Sequence, residues 1–321
     1  MIKDILEGIL SSGRDLKFDE ARLLLDAEDK DILSLMQAAD TVRRRFCGNR
    51  IDLCSILNAK SGLCSEDCAF CSQSARYNTG CSIYPLLEVR EIVEAAGFAR
   101  KQGATNFCIV ISGAGPNREE FGRIKEAIKE IIKLGGIKVD CSLGSLTLGM
   151  VKELKALGID RYNHNLETSE RFFKEICTTH SYASRLKLVE MLKEVGITPC
   201  CGGIIGMGET KDDRIDMAFT FKRLGIRCIP INILNPRKGT PLENIKPIEP
   251  LEVIKTIAVF RLILPNSIIK IAGGREPGLR DLQALGFMAG ANGMIIGGYL
   301  TTKGRPVEQD LQLARDLGFE F

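Results

Sequence analysis

From residue 50 onward the chain alternates, eight times over, between a short apolar run and an amphipathic stretch of helical length. The runs are Ile51–Leu57, Thr105–Ile111, Ile137–Leu143, Asp160–Asn165, Thr198–Ile205, Cys228–Ile233, Ile268–Ala272 and Gly293–Ile296. Between them lie helical patterns such as Leu87–Lys101, Glu119–Leu134, Leu148–Leu157, Ala183–Val195, Lys211–Leu224, Leu251–Leu264 and Leu279–Gly286. Strands alternating with helices predict a parallel α/β fold, because each parallel strand needs a crossover helix to return the chain. Eight units over about 250 residues suit a closed (β/α)8 barrel of the TIM type, with an open doubly wound sheet as the alternative. Residues 1–46 have another texture: Leu23, Leu24 and Leu25 precede a second amphipathic stretch, Ile32, Leu33, Leu35, Met36 and Ala39. They predict an N-terminal helical extension, with the barrel spanning 47–321.

In such barrels the chemistry sits at the C-terminal ends of the strands and on the loops that follow. The loop after the first run carries Cys64, Cys68 and Cys71, spaced C-x3-C-x2-C. Thiolates held this close and this unequally suit an iron–sulfur cluster better than a disulfide or a tetrahedral zinc. Only His164 and His180 occur in the whole chain, so a histidine-completed zinc site is poorly supplied. A [4Fe–4S] cube held by three thiolates keeps one iron open for a further ligand. Twelve cysteines behind an N-terminus that lacks the apolar core of a signal peptide predict a reducing, cytoplasmic location and metal chemistry. The near-balanced charge of +3 advertises no nucleic-acid partner, and no uninterrupted apolar run is long enough to predict a membrane span.

The other unusual residues follow the same geometry. Cys108 lies in the second run and Cys141 ends the third; the fourth ends in Arg161-Tyr162-Asn163-His164-Asn165-Leu166-Glu167-Thr168. The fifth carries Cys200-Cys201-Gly202-Gly203, the sixth Asn232 and the seventh Lys270, while Thr301-Thr302 follow the eighth. Cys108, Cys141 and Cys200 are expected to face one interior and suggest a second metal site, although a lone strand cysteine is more often a small buried hydrophobe. Cys228 lies four residues below Asn232, about 13 Å deeper at strand rise, and reads as packing. Cys47, Cys54, Cys81 and Cys177 read likewise as packing or surface thiols. Thr210 and Asp213 form a possible capping box.

The three-cysteine loop resembles the signature of the radical S-adenosylmethionine (SAM) superfamily, which implies that SAM chelates the open iron. The stretches Asn58–Ser74, Tyr162–Thr168, Gly202–Thr210, Pro230–Leu234, Gly239–Leu242 and Gly273–Glu276 are, more narrowly, similar to the biotin synthase family, in register from about residue 30 to the C-terminus. The resemblance implies insertion of sulfur into dethiobiotin to form biotin, the work falling to a cofactor radical because saturated C–H bonds resist any side-chain acid or base. It implies a [4Fe–4S] cluster on Cys64, Cys68 and Cys71, and an auxiliary cluster on Cys108, Cys141 and Cys200 that donates the sulfur. Phe70, Asn165, Glu167 and Arg185 match the SAM-binding positions, and Asn163, Asn165, Asn232, Thr301 and Thr302 the substrate-binding ones. A homodimer is implied too, as are an electron donor such as flavodoxin or ferredoxin and the Fe–S assembly machinery.

One departure stands out. Lys270 occupies the position of an arginine that ligates a [2Fe–2S] auxiliary cluster in the family, and lysine lacks the planar guanidinium. Cys201 stands beside Cys200 where a small hydroxyl residue is usual. Either Lys270 neutralises charge beside a [2Fe–2S] cluster, or the site holds a larger, four-iron cluster, the preferred reading; Cys201 joins it only if Gly202-Gly203 allow a bulge. Two other functions would give a similar loop. Another barrel-type radical SAM enzyme, a maturase or mutase, needs neither the second cysteine set nor the Asn163/Asn165 pair, and an electron-carrying or iron-sensing protein needs no concave polar site.

Overall fold

The structure, a computed structural model, describes residues 2–321. Nine parallel segments form one sheet: β1 (Asp52–Lys60), β2 (Asn106–Ile111), β3 (Lys138–Ser142), β4 (Arg161–Asn163), β5 (Thr198–Cys200), β6 (Gly203–Ile205), β7 (Cys228–Ile233), β8 (Ile268–Ile271) and β9 (Gly293–Ile295). Their order is β5-β4-β3-β2-β1-β9-β8-β7-β6, and β5 also pairs with β7, which closes the ring. β5 and β6 together make the fifth of eight barrel strands, so the closed (β/α)8 barrel is the fold.

The break in the fifth strand has a steric cause. A Cβ on Gly202 would stand 1.8 Å from the Pro230 carbonyl oxygen, and one on Gly203 would stand 2.5 Å from that of Glu167. Only glycine lets three backbones approach so closely. β1 runs further than the apolar pattern predicts and slips register between Asn58 and Lys60.

Alternation along each strand sorts the side chains into two sets. Leu53, Phe107, Ile109, Val139, Tyr162, Ile229, Ile231, Ile269, Ile271 and Met294 point outward into the main apolar core beneath the helices. Those helices include Val89–Lys101, Arg118–Leu134, Leu148–Ala156, Tyr182–Val195, Lys211–Leu224 and Pro250–Ile263. The inward set is small and largely polar. Cys54, Cys108 and Val110 form a separate cluster with Ile56 and Leu300 inside the barrel.

Three helices, Ile2–Ser12, Phe18–Leu25 and Ile32–Cys47, precede β1. Leu24, Leu25, Leu35 and Ala39 belong to the main core. The predicted helix Leu279–Gly286 is instead two short ones, Arg275–Leu279 and Gln283–Met288. Two helices lay outside the predicted pattern: Glu170–Ile176 and Val307–Asp316. Among the described residues, no helix is long and apolar enough to cross a membrane.

Candidate active site

The loop after β1 is fixed at several points. Cys64 N donates to the Gln73 carbonyl at 3.0 Å, and Ala75 N to the Cys64 carbonyl at 2.8 Å. The Gln73 side-chain oxygen accepts from Ser61 Oγ at 3.1 Å and Gly62 N at 3.2 Å. On its far side, the Asp67 carboxylate accepts from Thr178 N at 2.9 Å and Thr179 N at 3.1 Å, and Ala69 N donates to the Ile176 carbonyl at 2.8 Å. Half-buried Phe70 packs against the core between these anchors. These bonds hold the loop to the Cys177–His180 segment.

Cys64 and Cys71 are half-buried and Cys68 is buried. Burial pushes the Cys71 thiol up to about 11 and that of Cys68 higher still, with Cys177 adding to the second shift. The free Cys68 and Cys71 thiols therefore stay protonated, and iron must displace their protons on ligation. Three closely tethered thiols on a pinned loop fit a three-thiolate cluster. Cys177, expected to be a packing or surface thiol, is buried in the main core, and it also stands 3.9 Å from Cys68 Sγ and donates to Asp67 at 3.2 Å.

A second polar group lies where β4 ends. Asn165 Nδ2 donates to Glu167 Oε2 at 3.3 Å, and Asn165 Oδ1 accepts from Gly202 N at 3.1 Å. Arg185 donates to the Asn165 carbonyl at 2.8 Å and to His180 Nε2 at 3.0 Å, and its Nη1 lies 3.6 Å from Glu167 Oε1. His180 Nδ1 in turn meets Glu66 at 2.6 Å. One chain of contacts therefore joins the cysteine loop to the residues expected to hold SAM. Glu167 sits at φ 69°, in the left-handed region. Leu166 N and Glu167 N both donate to the Gly202 carbonyl, and Ile204 N donates to that of Glu167, which holds the turn in place. Burial raises the Glu167 carboxyl, and Arg185 opposes that rise.

Further inside, Asn163 Nδ2 donates to Cys108 Sγ at 3.1 Å while its Oδ1 is buried with no partner. Asn58, which was not singled out in the sequence as a site residue, presents the same pattern: its Nδ2 donates to the Leu300 carbonyl at 3.1 Å and its Oδ1 is unpartnered. Unpaired buried amides are costly, so these two oxygens mark a place for a donor from outside the chain. Register offered a signal for Asn58, since it lies two residues beyond Ile56 on the same face of β1. Asn232 differs, because Oδ1 accepts from Gly273 N at 2.9 Å and Nδ2 donates to the Gly203 carbonyl at 3.2 Å. Thr301 Oγ1 lies 3.2 Å from Ser72 Oγ, so the segment after β9 touches the cysteine loop; Thr302 accepts from Tyr299 N through its carbonyl.

The interior cysteines are not the expected three. Cys141 pairs across the sheet with Tyr162, and Asp140 with Arg161. Arg161 bonds Asp140 at 2.7 Å and Asp52 at 2.8 Å inside the barrel, so Asp140 faces inward and Cys141, one residue on, faces outward into the main core. Cys141 therefore does not share an interior with Cys108 and Cys200. Cys201 is turned outward in the same way, and its neighbouring glycines do not bring it in. Cys228, read from depth as packing, lies directly across from Cys200 with the two Sγ atoms 3.2 Å apart. The depth argument measured from Asn232, whereas Cys200 sits equally low on its own strand.

Lys270 also faces inward, and its Nζ pairs with Asp52 at 2.6 Å. A cavity of about 1020 Å³ opens at the N-terminal ends of the strands and is lined by Asp52, Asn106, Asp140, Arg161 and Cys228 among others. It enters the barrel at the end opposite to the cysteine loop.

Comparison with known proteins agrees with this geometry. Residues 60–221 match the radical SAM superfamily, and residues 230–320 the biotin and thiamin synthesis associated domain. The chain is 48% identical over 311 residues to the biotin synthase of Carboxydothermus hydrogenoformans, covering 96% of each. It is 45% identical over 322 residues to that of Clostridium acetobutylicum, covering 100% of this chain and 98% of the relative. In structure it is similar to methylornithine synthase, with a TM-score of 0.86 at 21% identity and coverage of 98% and 96%. It also resembles the FeFe-hydrogenase maturase HydG of Carboxydothermus hydrogenoformans, with a TM-score of 0.84 at 23% identity and coverage of 99% of this chain and 78% of the other. The two structural likenesses speak for the barrel alone.

Proposed function

This chain belongs to the biotin synthase family of radical SAM enzymes, and on that premise we propose how its residues divide the work of converting dethiobiotin to biotin. Cys64, Cys68 and Cys71 hold a [4Fe–4S] cluster, which when bound supplies the electron for reductive cleavage of SAM. Glu167, standing beside Asn165 and Arg185, accepts hydrogen bonds from the ribose hydroxyls of SAM. Phe70, on the pinned loop, borders the adenine. Asn163 and Asn58 present free carbonyl oxygens to the N–H groups of the dethiobiotin ureido ring, a neutral group that suits amides. Asn232 braces Gly203 and Gly273 while lining the same interior, and Thr301 and Thr302 close it beside the cysteine loop.

The observation that carries this division is the pair of orphaned amide oxygens inside a barrel whose mouth holds the three-thiol loop. An auxiliary iron–sulfur cluster, if held within the barrel by its inward-facing cysteines, would supply the sulfur. The enzyme works as a cytoplasmic homodimer, reduced by flavodoxin or ferredoxin and supplied by the iron–sulfur assembly machinery; family likeness supports these points. Anaerobic incubation of reconstituted protein with SAM, a reductant and dethiobiotin is expected to give 5′-deoxyadenosine and biotin. Formation of neither product would refute the assignment. A maturase or mutase reading has less support, because relatives of those kinds match at 21–23% identity against 45–48% for biotin synthases.

A further inference from the structure

We propose that the auxiliary cluster is held by four thiolates, Cys54, Cys108, Cys200 and Cys228, and that Cys141 is not among its ligands. Four parallel strands present these cysteines to one interior. Cys54 and Cys108 stand on neighbouring β1 and β2 and pack in the same small cluster within the barrel. Cys200 and Cys228 are cross-strand partners on β5 and β7, with Sγ atoms in contact at 3.2 Å. That separation is far beyond a disulfide bond of about 2.05 Å.

β4 spans the gap between the two pairs. Asn163, whose strand partner is Cys200, reaches across to Cys108 Sγ, and Arg161 Nη1 lies 3.6 Å from Cys228 Sγ. Both two-iron and four-iron clusters are commonly completed by four cysteine thiolates, so this set needs no basic side chain as a ligand. Lys270 fits that absence, for its Nζ is already engaged by Asp52. Lys270 and Arg161, paired with Asp52 and Asp140, lie beside these thiols, each of which would lose one proton to become the thiolate that binds iron. Cys141 has no route in: its strand partner Tyr162 donates its hydroxyl to the Gly144 carbonyl and lies in the outer core.

The inference rests on the reading that a second cluster exists, and the experiment separates the two. A full-length Cys64→Ala/Cys68→Ala/Cys71→Ala variant, reconstituted anaerobically with ferrous iron and sulfide, retains only auxiliary iron. Iron and sulfide content and the Mössbauer spectrum are the readouts. No iron in this triple variant would remove the second cluster altogether. If iron is bound, adding Cys54→Ala or Cys228→Ala should lower its content or change its spectrum, while adding Cys141→Ala should change neither. The same single substitutions in a chain with an intact loop should keep the loop cluster, which shows that the barrel folds. Unchanged iron and spectrum in either Cys54→Ala or Cys228→Ala, or a change in Cys141→Ala, overturns the four-thiolate set.

Discussion

Glu167 shows how much a single position carries at this site. Its backbone takes a left-handed conformation that few side chains favour, and it keeps it because Gly202 and Ile204 bond the turn from both sides. The carboxylate is buried, with Arg185 and Asn165 as its polar neighbours. Glu167→Gln retains the shape and one hydrogen-bond acceptor but removes the charge. The expected outcome is a KM for SAM raised about tenfold, equal to roughly 1.4 kcal/mol, with loop iron content unchanged. Steady-state kinetics alongside iron analysis checks it; an unchanged KM means that SAM does not contact this carboxylate. The residue types of the YNHN–Glu stretch were legible because hydrophobes are the default at a strand end. Asn58 was not, because its own run looked finished at Leu57, and only strand register shows that it shares the interior with Cys108.

At the scale of elements, the clearest local signals came through. The helix Lys211–Leu224 begins with the reciprocal cap read from the sequence: Asp213 N donates to Thr210 Oγ1 at 3.2 Å, and Thr210 N to Asp213 Oδ2 at 2.8 Å. Asp213 also binds Ser169 Oγ at 2.6 Å and Arg171 Nε at 2.9 Å, which ties this helix to Glu170–Ile176. Burial alone would raise its carboxyl, but Arg171, Ser169 and Thr210 outweigh burial and hold it down at about 2. A depressed folded-state value means that its contribution is complete above the unfolded value near 4 and is lost as pH falls toward about 2. Asp213→Asn should cost about 1–2 kcal/mol at pH 6. Urea unfolding of the apoprotein should show the gap between variant and parent narrowing as pH drops below 4; a gap independent of pH contradicts the assignment. The split of the fifth strand was less legible. Two glycines in an apolar run suggest a bulge, but the approach of Pro230 and Glu167 that demands them comes from other strands.

Across the whole molecule, a buried ion pair links the last helix to the barrel. Arg275 follows β8 and binds both Asp310 oxygens at 2.9 Å, with both residues wholly buried. Arg275→Ala leaves buried Asp310 with only the longer contact to Arg305 at 3.9 Å, and breaking a buried pair from one side costs about 3–5 kcal/mol. The expected result is a lower unfolding midpoint in urea for the apoprotein, and Asp310→Ala should fall similarly; a midpoint shift within error in both would show that the link does not stabilise the fold. The sequence by itself determined the alternating β/α order of eight units, the three-cysteine loop and the family motifs, because periodicity and spacing are local properties, whereas closure of the barrel came from the pairing of β5 with β7. It could not say which cysteines share an interior. Cys141 and Cys228 both lie in strand runs, and their fates diverge through a period of two: one residue of register turns a side chain from the core of the barrel to its outer wall. That parity is set by pairing with β4 and β5, strands distant in the chain, so only the tertiary structure decided it.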